Sequence, residues 1–214
     1  MIVNNRIVDY INSLDKEMPE YLREIEKEAL KDHVPIIKKS TQSLLKFIIS
    51  DKKPQKILEV GTAVGFSALL MSEFMPDNCH ITTIEKMPKR IEKAKENFNK
   101  SCKKDKITIL EGDATEILCT LEEKYDIIFL DAAKGQYINF LEEIMKRLND
   151  RAILISDNVL QDGDVAESRF GVTRRNRTIH SRMREYLYTI THIDELQTVV
   201  LPIGDGVTLS TVIR

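Results

Sequence analysis

Leu58-Glu59-Val60-Gly61-Thr62-Ala63-Val64-Gly65-Phe66-Ser67 is the stretch whose reading decides the fold. Its apolar start follows Lys56-Ile57 as a short strand, and its two glycines stand where that strand turns into a helix. Without a Cβ, such backbone lets a ligand approach closely. The pattern is E-x-G-x-x-x-G, which differs from the G-x-G-x-x-G that seats a pyrophosphate on a helix amino terminus and so speaks against NAD or FAD.

Working outward, further buried runs rich in Ile and Leu predict strands at 56–60, 80–85, 106–110, 125–131 and 152–157. Amphipathic stretches at 67–74, 88–99, 115–121 and 137–148 predict the helices between them. Such a βαβ series, with right-handed crossovers, builds a doubly wound parallel sheet of Rossmann-like layout, an α/β fold. After a helix at 178–191, two more strand-like runs at 196–203 and 206–213 are joined at Gly204-Asp205-Gly206 as a hairpin. That makes seven strands, one forced antiparallel. Upstream, apolar residues spaced three and four apart over 4–50, broken at Pro19 and Pro35, predict about three helices. The expected organisation is one domain, with a helical cap over 1–53 and a Rossmann-like core over 54–214.

Composition narrows the partners. Lys and Arg (32) nearly balance Asp and Glu (34), so a net charge of −2 gives no general attraction to polyanions and leaves only local patches. Cys79, Cys102 and Cys119 form no CxxC pair, which argues against a disulfide framework or a zinc site. The opening MIVNNRIVDYINSLDKE lacks an apolar signal core, and no stretch has the length of uncharged residues that a membrane span needs. A soluble cytoplasmic protein, away from membranes, is expected.

Three strand ends carry ligand-type residues. Beside Gly61 and Gly65 stand Glu85, placed to grip ribose hydroxyls, and Gly112-Asp113-Ala114, placed to line an adenine pocket. The fourth and fifth strands end at Asp131, followed by Lys134, and at Asp157-Asn158. Two carboxylates and an amide oxygen are hard donors suited to Mg²⁺. Taken singly, Asp131 reads as a helix cap, Asp157-Asn158 as a turn and Lys134 as a solvated charge. Their common placement at the carboxyl edge of the sheet favours chemistry.

The motifs LEVGTAVGFSA, GDA, DAAKGQY, SDN and PIGDG, together with Glu85, resemble the metal-dependent catechol and caffeoyl-CoA O-methyltransferase family, from about Val34 onward. Within it, VPII, GTAVGFSA, FLDAAKGQY and ISDNVL are most similar to bacterial tRNA 5-hydroxyuridine methyltransferases. The resemblance implies a class I methyltransferase fold and S-adenosylmethionine as cofactor. It implies cofactor contacts at Ile37, Glu59, Gly61, Ser67, Glu85, Gly112, Asp113, Ala114 and Asp131. It further implies Mg²⁺ on Asp131, Asp157 and Asn158, Lys134 as general base with Asp131 beside it, and a homodimer. Residues 36–42, IIKKSTQ, depart from the Gly-Gln usual in the family at this helix.

The acceptor is sought around the site. Ser168 to Arg184 holds Arg169, Arg174, Arg175, Arg177, Arg182 and Arg184 and no acid, the footprint of a nucleic-acid surface. A solvated helix face is the bland alternative. The expected reaction is methylation of 5-hydroxyuridine in the anticodon loop of tRNA to 5-methoxyuridine. Rivals are an O-methyltransferase of a small catechol-like molecule, whose paired oxygens chelate in the same way, and a non-catalytic RNA-binding module.

Overall fold

The computed structural model describes residues 4–213. Its centre is β1 (Lys56–Val60), whose Ile57, Leu58 and Val60 are wholly buried. Five parallel strands follow the βαβ rule, namely β1, β2 (His80–Glu85), β3 (Ile107–Glu111), β4 (Tyr125–Leu130) and β5 (Leu148–Ser156). With β6 (Leu196–Leu201) and β7 (Val207–Val212) the sheet order is β3-β2-β1-β4-β5-β7-β6, and β7 runs antiparallel to both of its neighbours. This is the seven-stranded, mostly parallel sheet with an antiparallel terminal hairpin that the sequence predicts.

Side chains alternate across the sheet, so each strand feeds two cores. Ile57, Ile127, Phe129 and Ile155 pack with α2 (Glu20–Lys31), α3 (Lys39–Lys52) and α4 (Phe66–Phe74). Leu58, Val60, Ile128, Leu130 and Leu154 pack with α6 (Ala114–Thr120), α7 (Tyr137–Lys146) and α8 (Arg177–Ile190). Leu22, Leu45 and Ile49 are fully buried, and at about 1.5–3 kcal/mol per buried aliphatic side chain they bind α2 and α3 firmly to the sheet. By contrast α1 (Asn5–Ser13) buries no residue, and Ile7, Tyr10 and Ile11 on it are exposed. Between α4 and β3 runs α5 (Pro88–Lys100), with proline in its first turn, where a missing N–H costs nothing.

Three differences from the sequence reading have local causes. First, α7 stops at Lys146, and β5 begins at Leu148 because Leu148 pairs with Tyr125 across a register irregularity. Second, the hairpin strands are shorter than predicted. Residues 202–206 form the turn, closed by Gly206 N–H donating to the Ile203 carbonyl, with Gly204 and Gly206 at positive φ. Third, 161–166 and 174–176 form short 3-10 turns ahead of α8. Among the described residues no helix is long and apolar enough to cross a membrane.

Register aligns the functional ends. Val60 pairs with Leu130, Leu130 with Ser156, and Glu85 with Glu111. The residues that follow these tips therefore share one edge of the sheet.

Candidate active site

A cavity of about 610 Å³ opens along that edge. Gly61, Glu85, Gly112, Asp113, Ala114, Asp131, Lys134, Asp157 and Asn158 all line it. Ile37 and Ser67 line a small crevice beside it, with Gly61 and Asp131. Among the residues expected at the cofactor, Glu59 is the one behind the wall, fully buried and outside both hollows. A second hollow of about 550 Å³, between α7 and the segment after α8, contains none of the strand-tip residues.

In the half nearest β1 to β3, backbone and carboxylate define each other. Glu85 Oε2 accepts from Ala63 N–H at 3.0 Å, while its Oε1 accepts from Lys86 and Met87 N–H at 3.0 Å each. These bonds fix the Gly61–Gly65 loop to the tip of β2. Gly61 has φ +108°, and a Cβ there would lie 2.1 Å from the Asp131 carbonyl oxygen, so a side chain is excluded. Asp113 caps α6 through Thr115 N–H at 2.9 Å. Below the loop, Thr83 Oγ1 donates to Glu59 Oε2 at 2.5 Å. With its single hydroxyl proton spent there, Thr83 accepts from Thr62 Oγ1 at 2.6 Å. Burial pushes the Glu59 carboxyl up to about 7, against the Ser67 and Thr83 hydroxyls that favour its ionised form.

At β4 and β5 the two carboxylates meet. Asn158 Nδ2 lies 3.0 Å from Asp131 Oδ1 and 3.4 Å from Asp157 Oδ2, and Thr41 Oγ1 donates to Asp157 Oδ1 at 3.4 Å. No Lys, Arg or His among the described residues forms an ion pair with Asp131 or Asp157, although Asp157 is only 2% exposed. A rotation of the Asn158 amide by half a turn would put its oxygen where its nitrogen stands, giving three hard oxygens around one point. The donor set thus fits a divalent cation through two carboxylates and an amide. No cluster of three His, Cys, Asp or Glu suited to a metal occurs among the described residues.

Lys134, half-buried, stands on the 3-10 turn 134–136 after β4. Lys38, Arg90 and Asp205, none of them expected at the site from the sequence, also reach the cavity. Lys38 Nζ bonds Asp205 Oδ1 at 2.5 Å, across 167 residues of chain. Of the arginine run, Arg177, Arg182 and Arg184 donate to the carbonyls of Val172, Gly135 and Val165, while Arg169, Arg174 and Arg175 are exposed and unpaired among the described residues. Phe170, in the same segment, is 85% exposed.

The acids have a thermodynamic signature. Burial raises Asp131 to about 6, partly countered by Asn158 and Lys134, and raises Asp157 to about 7 with the neighbouring Asp131 charge adding to it. A carboxyl whose folded pKa exceeds its unfolded value binds more protons when folded. Stability therefore falls as pH rises from about 4 through about 7 and stays reduced above that. Asp157→Asn removes one of these charges. In cation-free buffer it should raise Tm over wild type at about pH 8 and change it little at about pH 4, by differential scanning calorimetry. An unchanged or lower Tm at the higher pH contradicts this electrostatic account.

Against known proteins, residues 12–213 match the model of a family described as O-methyltransferase. The chain is 32% identical over 180 residues, 76% of it and 73% of the relative, to O-methyltransferase ankF of Aspergillus thermomutatus. It is 28% identical over 200 residues, 83% and 82% of the two chains, to a caffeoyl-CoA O-methyltransferase of Stellaria longipes. Among solved structures, the methyltransferase PaMTH1 of Podospora anserina with bound SAH superposes with a TM-score of 0.89 at 26% identity, covering 98% of this chain and 95% of that one. With its strand-tip cavity and a family match over nearly its whole length, the chain belongs to the O-methyltransferase family.

Proposed function

We propose that the chain is a cytoplasmic, S-adenosylmethionine- and Mg²⁺-dependent methyltransferase that converts 5-hydroxyuridine in the anticodon loop of tRNA, at the wobble position, to 5-methoxyuridine. The observation that carries the catalytic part is the pair of adjacent carboxylates, half-buried Asp131 and buried Asp157, neither in an ion pair among the described residues, in one cavity with Lys134 and the glycine loop. Bound S-adenosylmethionine supplies a methyl group on a sulfonium leaving group, and Mg²⁺ supplies positive charge that favours an ionised hydroxyl.

The chain's residues do the rest. Glu85, whose Oε2 takes only the Ala63 N–H and keeps a lone pair free, accepts from a ribose hydroxyl, and Gly61 and Gly112 leave room for the cofactor. Asp131, Asp157 and Asn158 would hold the cation. Lys134 takes the proton of the substrate hydroxyl, and the stiff strand tips align acceptor oxygen with methyl carbon. The tRNA acceptor is supported by Arg169, Arg174 and Arg175, which are not engaged in ion pairs, and by Phe170, an exposed ring able to stack on a base. The name of the Stellaria longipes relative favours a second reading, a small acceptor with adjacent oxygens, which would use the same groups. Retention of Lys134 and both carboxylates speaks against an RNA-binding module without chemistry. The exposed apolar face of α1 supports a homodimer.

Three measurements test this reading. Labelled S-adenosylmethionine should transfer its methyl to tRNA bearing 5-hydroxyuridine, with transfer lost in chelator and restored by Mg²⁺. Asp157→Ala should lower that rate by about 100-fold, the equivalent of roughly 3 kcal/mol. Turnover of catechols with none on tRNA overturns the acceptor, and full activity of Asp157→Ala overturns the cation site. Charge reversal at Arg174 and Arg175 should weaken tRNA binding and flatten its salt dependence by about one unit of slope per lost phosphate contact. An unaltered salt slope would remove those residues from the interface. Light scattering should report twice the 24.6 kDa chain mass, whereas a monomer at all concentrations excludes the dimer.

A further inference from the structure

The turn that carries Lys134 is gripped from two sides. From below, the Tyr137 hydroxyl, fully buried, lies 3.2 Å from the Leu130 carbonyl and 3.0 Å from the Asp157 carbonyl. From outside, Arg182 Nη1 donates to the Gly135 carbonyl at 3.1 Å, and a Cβ on Gly135 would lie 3.7 Å from Arg182 Nη1 and 4.0 Å from Ile179 Cγ1. Within the turn, Gln136 N–H donates to the Ala133 carbonyl at 2.8 Å. Helix α8 thus meets the backbone of the turn through a guanidinium that is itself exposed and has no ion pair among the described residues.

A guanidinium carries five N–H donors in a rigid plane, and one bond to a carbonyl leaves the others to donate to a second partner in fixed geometry. We infer that Arg182 is a positioning residue: it holds the Gly135 carbonyl, and with it the backbone from which Lys134 reaches the cavity, while its outward N–H groups take a phosphate of the substrate. It ties the basic surface to the proton-accepting turn. The inference rests on the reading of Lys134 and of tRNA given above. It differs from simple phosphate binding, which would touch affinity alone. A lysine at 182 keeps the charge but cannot hold carbonyl and phosphate in one plane.

The test uses Arg182→Ala and Arg182→Lys in the full chain, with steady-state kinetics on 5-hydroxyuridine tRNA and on a catechol, and with amide hydrogen exchange. Arg182→Ala should lower kcat by about tenfold on either acceptor, since misplacing a catalytic group acts on the chemical step, and should also raise KM for tRNA. Arg182→Lys should recover more of the KM for tRNA than of kcat. Exchange at the Gln136 amide should quicken in both variants while β4 and β5 stay protected. A defect confined to KM for tRNA, with kcat and Gln136 exchange as in wild type, overturns the positioning role. If wild type turns over neither acceptor, the proposed function fails, and Gln136 exchange still decides whether Arg182 holds the turn.

Discussion

At the tip of β1, backbone runs so close to β4 that only a residue without a side chain fits, with Gly61 facing the Asp131 carbonyl. This contact brings the cofactor half of the cleft against the half that holds the carboxylates. It also commits Asp131 to both, because Asp131 leaves β4 at the point where the glycine loop passes. Parallel ladders in register then deliver Glu85 on one side and Asp157 on the other. The sheet supplies placement, and helices on both faces keep the strands buried and stiff.

That placement has an electrostatic cost which the fold carries openly. Two carboxylates beside each other, Asp157 buried and Asp131 half-buried in the cavity wall, neither with an ion-pair partner among the described residues, are stabilised as ions by a positive partner. Structural pairs are compensated within the chain, as Lys46 compensates Asp15 on the surface of α3. At Asp131 and Asp157 no such ion pair forms among the described residues, and only the charges of Lys134 and Arg90 act on Asp131 from beyond ion-pair distance, the mark of a place kept for a ligand.

Much of this was legible in the sequence. The alternation of strands and helices, the Gly61–Gly65 turn and the terminal hairpin all leave short-range signals in hydrophobic period and turn residues, and the strand tips follow from them. Residues whose role depends on distant chain were not legible. Glu59 reads as part of a ligand motif, yet period-2 alternation turns it under the loop toward Thr83. Asp205 reads as a hairpin residue, and only the bonds from Val159 and Leu160 to the 205–206 backbone bring it beside the cleft. The arginines read as one basic patch, whereas three of them hold backbone carbonyls, a use that composition cannot show because the acceptors lie 5 to 47 residues away. Helix ends shifted by a residue or two where capping and strand pairing compete.

The Tyr137 phenol has a wider consequence. Its hydroxyl reaches both the Leu130 and Asp157 carbonyls, its ring meets Tyr186 edge to face at 5.4 Å, and Tyr186 in turn pairs with Ser156 at 2.5 Å. The spacing of the two acids is therefore set by backbone and buried aromatic rings before anything enters the cleft. A frame built in advance loses little conformational freedom when it is filled, so binding there draws on contacts already in place instead of on ordering the chain.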